Sequence, residues 1–218
     1  MRFLSNLFGR PKPRGSVVFQ WAERRWKELG QLKDSTPEWM FGYFIYSISR
    51  FIEPRPERDR SEEERALGPD FERHYGNDSA LFELGCYAYF RLDLWLFHEN
   101  PGVRQRISAF LADEFVKLFT EALQIYYVQR LLCERLEKYG EIANSGGGPK
   151  EFHSYLVQLL LRTRDSKRPK PYGDKDPLVL DLERSFMLTA ELMTWEEFFL
   201  PTLTKSLWQL ADQKTSSR

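Results

Sequence analysis

Apolar residues recur every three to four positions in segment after segment of this chain, the spacing of one face of an α-helix. The longest such run is 100–140. Ile107, Leu111, Phe115, Leu118, Ala122, Ile125, Leu132 and Leu136 form one line along it, with Gln129 as its single polar member. Asn100 suits an N-cap, Pro101 a first helical turn and Gly140 the residue past the end. No Gly or Pro falls between 103 and 139. The pattern therefore predicts one continuous helix over about 101–139, roughly 55 Å long at ~1.5 Å per residue. A compact chain of this size has a radius of gyration of about 17 Å, so such a helix spans the molecule and organises it. The second half turns apolar on more sides, through Ile125, Tyr126, Tyr127, Val128, Leu131, Leu132 and Cys133. That places Tyr126 and Leu132 in the core and Glu114 and Glu121 near its edge.

Other segments carry the same period. One helix is predicted over 17–29, with Val18, Trp21, Ala22 and Trp26 inward, and a second over 36–52, opened by Thr36-Pro37-Glu38 and stopped before Pro54. A third, capped by Asp78-Ser79, runs to about Phe97. Pro149 opens a fourth that reaches Arg164, and two more are expected over 177–193 and 194–211. The stretch 53–78, dense in charge and broken by Pro54, Pro56, Gly68 and Pro69, reads as a connector or a lid. No strand pattern and no internal repeat stands out. The fold class is all-α, an irregular bundle of about seven helices around 101–139. One helical domain covers 17–211, between an N-terminal arm at 1–16 and a fraying tail at 212–218.

Composition narrows the function. The 218 residues hold 32 acids and 32 bases, so no net charge draws the chain to nucleic acid or an anionic membrane. Arg24, Arg25 and Lys27 lie beside tryptophans, but Glu23 and Glu28 dilute them and no nucleic-acid motif is present. The arm, with Phe3, Leu4, Leu7 and Phe8 among Arg2, Arg10, Lys12 and Arg14, offers weak surface contact with a membrane. The longest uncharged apolar run is too short to cross a bilayer. Cys86 and Cys133 each sit in an apolar helical line and read as buried free thiols in a reducing, cytoplasmic setting.

Catalytic chemistry finds little footing. His74, His98 and His153 are scattered, and none follows a Glu at the spacing of a dimetal bundle. No nucleophile turn is present. Glu114 and Glu121 share a helix face, a pattern more typical of a solvated edge than of paired acid–base carboxylates. Gly146-Gly147-Gly148-Pro149-Lys150 precedes a helix and resembles a hinge more than a phosphate cradle. No cofactor or metal is implied. The 17 Phe, 10 Tyr and 6 Trp fit a ring-packed core, with an aromatic pocket or partner surface as the sharper reading.

One group remains: Tyr43, Tyr46, Glu83, Tyr87, Arg91 and His98, polar residues on helices expected to be inside. Glu83, Tyr87 and Arg91 follow one another at i, i+4 and i+8 on one face, which pairs Glu83 with Arg91 as a buried network or a pocket lining. The leading expectation is a protein that acts by binding another protein. A sensor with an aromatic-lined pocket for a small amphipathic ligand is the second reading, and an enzyme with a spatially assembled site the third.

Overall fold

The computed structural model describes residues 16–29, 37–52, 77–99 and 101–164. Among them are six helices and no strand: α1 (Val17–Leu29), α2 (Pro37–Ile52), α3 (Asp78–Glu99), α4 (Pro101–Leu123), α5 (Val128–Asn144) and α6 (Pro149–Arg164). The all-α class expected from the periodicity holds for these residues. The expectations for the arm up to 15, the connector at 53–76, and the helices at 177–193 and 194–211 with the tail lie outside the described residues.

The organising element is α3, not the 101–139 stretch. Every residue from Ala80 to Phe90 is buried, so this helix is covered all round and packs against each of the other five. On one side of it lie α1, α2 and α4, which also pack on one another; on the other lie α5 and α6. Its start depends on Asn77, whose Oδ1 accepts the Ala80 amide hydrogen at 2.9 Å, an N-cap one residue before the Asp78-Ser79 pair expected there. Asp78 is thereby free to serve another helix. Its carboxylate accepts from Ser16 Oγ at 2.6 Å and from the amides of Val17 and Val18 at 2.9 and 3.0 Å, and Ser16 Oγ in turn accepts from the Phe19 amide. The first turn of α1, whose own sequence has no acid there, is thus completed by a residue 62 positions away.

The expected continuous helix is two helices. Residues 124–127 break it, and Gln124 takes φ 55°, the left-handed conformation that commonly ends a helix at a glycine. Its side-chain amide donates to the Glu121 carbonyl at 2.6 Å, satisfying one of the last acceptors of α4. The physical reason for the break lies in the two apolar stripes. In α4 the buried line is Ile107, Leu111, Phe115, Leu118 and Phe119; in α5 it is Val128, Leu132 and Tyr139. At 3.6 residues per turn these stripes lie about a quarter turn apart, so a straight helix cannot bury both against α3. The break carries the chain from one side of α3 to the other. Leu132 is buried as expected, but Tyr126 is 94 % exposed at the turn and Cys133 is exposed on the outer side of α5.

Against α4, the approach of α3 is close. A Cβ at Gly85 would stand 2.5 Å from the Phe115 ring, so only glycine admits that ring. Phe82 packs on Phe115 and Phe119 with centroids 5.6 and 5.4 Å apart. Burial of a ring such as Phe115 stabilises by about 1.5–3 kcal/mol. At the far end of this pair Asp93 clasps Arg104 through two hydrogen bonds and accepts from Ser108 Oγ.

Candidate functional site

Two places hold residues that packing alone does not explain. The first is the seam where α3 meets α5 and α6. The i, i+4 spacing along α3 turns Glu83 and Tyr87 toward this seam, one turn apart. Glu83 is buried and takes a bidentate pair of hydrogen bonds from Arg135 of α5, at 2.8 and 2.9 Å, the fork geometry that best repays a desolvated carboxylate. Burial works against the Arg135 charge, but the hydrogen bonds and charge of Glu83 outweigh it and raise the guanidinium pKa. Tyr87 Oη shares a hydrogen bond with His153 Nε2 of α6 at 3.0 Å. Burial, with the charge of Arg91 added, lowers His153 to about 4, so the imidazole is neutral near neutral pH.

Rings fill the rest. Tyr139 stacks on Phe90 at 5.2 Å and meets Tyr87, Phe152 and Tyr155 edge-on. Its hydroxyl is fully buried and has no hydrogen-bond partner. Burial, reinforced by Glu83, raises its pKa well above the usual value, so it stays protonated. Cys86 is enclosed in the same seam. Burial first and Glu83 second raise its thiol well above the ordinary range, which leaves a neutral, unreactive sulfur. The seam therefore combines one paired charge, one neutral histidine and one unsatisfied hydroxyl in a ring-packed setting.

The expected site residues divide accordingly. Glu83 and Tyr87 are both in the seam, and Arg91 borders it with its guanidinium 5.8 Å from the Phe152 ring centre. The expected Glu83–Arg91 pairing is corrected: Arg135 holds the carboxylate, because α5 crosses α3 at Glu83 and brings a planar fork directly onto it. Tyr43 and Tyr46 are half-buried on α2, which packs with α1, α3 and α4 rather than along this seam. Tyr43 stacks on Trp39 within its own helix. His98 is exposed at the end of α3, with its ring against Phe97. Arg135, Tyr139 and His153 were not expected here. Their partners are distant in the chain, and the one local sign was a charged residue, Arg135, between Leu132 and Tyr139 on the inner line of α5.

The second place is the turn at 124–127. Tyr126 projects into solvent, Tyr127 meets it edge-on at 5.5 Å, and the Arg130 guanidinium lies 5.2 Å from the Tyr127 ring centre. Arg130 also pairs with Glu134 at 3.5 Å.

The amides of Gly146, Gly147 and Gly148 donate to Ala143, Ile142 and the Glu151 carboxylate, so the chain itself occupies the donors a phosphate would need. Gly146 turns with φ 79°. Arg25 pairs with Glu28, and Glu114 with Lys117. Among the described residues no group of three or more His, Cys, Asp or Glu is placed to hold a metal ion, and no helix is long and apolar enough to cross a membrane. No protein-family model, curated protein or solved structure matches the chain.

Proposed function

We propose that this protein acts by binding another protein and that the Tyr126–Tyr127 turn is its contact point. The observation that carries this reading is the 94 % exposure of Tyr126, which among the described large hydrophobic residues is followed by Phe97 at 53 %, while most of the described rings pack in or against a common core. A tyrosine held out on a tight turn offers apolar area and a hydroxyl at little cost in conformational freedom, and tyrosine and arginine are enriched among residues that dominate interfaces. Tyr127 and Arg130 supply a ring and a cation on the same side of the turn. The setting we assign is a reducing cytoplasm, supported by two free thiols, one of them exposed.

A photo-reactive phenylalanine placed at position 126 in the native cell tests the reading. Ala109, exposed on α4, is the control position. The expected result is one discrete adduct with a different protein chain from position 126 and none from 109. No adduct, an adduct only to a second copy of this chain, or the same adducts from both positions overturns the proposal.

A further inference from the structure

Between 103 and 139 the sequence contains neither Gly nor Pro, the residues that ordinarily carry a helix break. The break rests instead on Gln124 at φ 55°, a conformation strained by the presence of a Cβ. Beyond it α5 begins at Val128, with Tyr127 as an N-cap that makes no side-chain hydrogen bond and no acid in the first turn. Tyr126 is left in solvent. One continuous helix from 101 to 144 would relieve the first two features, since it restores the missing backbone hydrogen bonds and removes the left-handed residue.

What opposes it is tertiary. Val128, Leu132 and Tyr139 are buried in the seam and Arg135 is held by Glu83. In a straight helix that stripe lies a quarter turn from the α4 stripe, so it cannot be buried against its own α3 together with the α4 stripe. The same α3 surface is available on a second copy of the chain, with the same carboxylate and the same rings. Short, strained hinge loops favour exchange of this kind.

We propose that residues 124–127 are a hinge, and that straightening it transfers α5 and α6 to a second copy, giving a domain-swapped dimer in which Arg135 of each copy grips Glu83 of the other. This inference stands apart from the partner reading above, because it needs only the hinge and the seam.

Light scattering coupled to size-exclusion chromatography, after incubation at graded protein concentration and moderate warmth, reads the exchange. The wild type is expected to give a dimer fraction that rises with concentration and reverts slowly on dilution. Gln124→Gly removes the strain of the closed turn and weakens the straight helix, so it should lower the dimer constant about tenfold or more. Gln124→Ala favours the straight helix and should raise it about twofold. Wild type and Gln124→Ala that both remain monomeric throughout, or a dimer unaffected by Gln124→Gly, overturns the proposal.

A second measurement separates swapping from ordinary association. Glu83→Arg and Arg135→Glu chains, denatured and refolded together, face like charges in any unswapped fold but opposite charges at both seams of a swapped pair. Recovery of a mixed dimer containing equal parts of the two, absent when either is refolded alone, supports the exchange. Failure to recover it alongside a wild-type dimer shows that the dimer is not swapped.

Discussion

The two sides of α3 are built on different principles. Toward α4, around Gly85, the contact is apolar and shaped: Gly85 receives the Phe115 ring, and Phe82 and Phe119 close around it, with the Asp93–Arg104 clasp only at the far end. Toward α5 and α6 the contact is polar within a ring of aromatics: Glu83 on Arg135, Tyr87 on His153, and the Tyr139 hydroxyl without a partner. Shape complementarity is sensitive to added volume and indifferent to pH. A buried polar seam is tolerant of small changes in volume but fails when one member of a pair is lost. The first side fixes how closely two helices approach; the second fixes which residues must meet, and thus the register of α5 and α6 on α3.

The largest effect should come from Arg135→Met, which strands the Glu83 carboxylate. We expect a loss of about 3–5 kcal/mol in unfolding free energy by urea titration. Replacing both residues, as Glu83→Leu with Arg135→Met, should recover most of that loss. A single variant as stable as wild type would show that the pair does not hold the seam.

Gly85→Ala tests the apolar side. The added methyl meets the Phe115 ring, and we expect a loss of about 1–3 kcal/mol from overpacking. The same change with Phe115→Leu should be markedly better tolerated than Gly85→Ala alone. If thermal melts show the two to be equally harmful, the close approach is not the cause.

pH distinguishes the sides again. His153 takes up a proton near 6.5 in the unfolded chain but only near 4 in the folded one, so acid favours unfolding between those values. The contribution is full above about 6.5, declines as the pH falls and levels off below about 4. With the ring partly solvated, the loss should be about 1–2 kcal/mol after screening. Denaturant titrations of wild type and His153→Gln over that range give the difference. Parallel curves would mean that His153 titrates normally.

The smallest effect is expected at Tyr139. Removing an unsatisfied buried hydroxyl with Tyr139→Phe should leave the protein as stable, or more stable by about 1 kcal/mol. A clear loss of stability would reveal that the hydroxyl is hydrogen-bonded in solution, to a bound water for instance.

How much of this was legible beforehand depended on the range of the forces involved. The periods of α1, α2, α3 and α6 appear in their own residues, and the starts of α2, α3 and α6 follow from prolines and caps close by, whereas the start of α1 rests on the distant Asp78. The break after Leu123 was hidden because Gln124 does what a glycine usually does. Its trace was Gln129, the polar residue on an otherwise apolar line, marking where the buried stripe shifts by a quarter turn to Val128, Leu132 and Tyr139. The seam was half legible. The spacing of Glu83, Tyr87 and Arg91 gave a shared face, and local spacing then favoured Arg91 as the partner of Glu83. The true partner lies 52 residues away, a distance over which sequence periodicity carries no information.

The clasp of Asp78 on the first turn of α1 has a consequence for the order of events in the cell. A ribosome makes the chain from its N-terminus, and residues 16–19 emerge well before the carboxylate that satisfies their amides and hydroxyl. Helix α1 must wait, its first turn incomplete, until the start of α3 has been synthesised. The chain outside α2 that joins them can lengthen or shorten at little entropic cost, since closure grows only with the logarithm of its length. Helix α1 is thus made before the residue that completes it, yet it can be secured before α4, α5 and α6 have been synthesised.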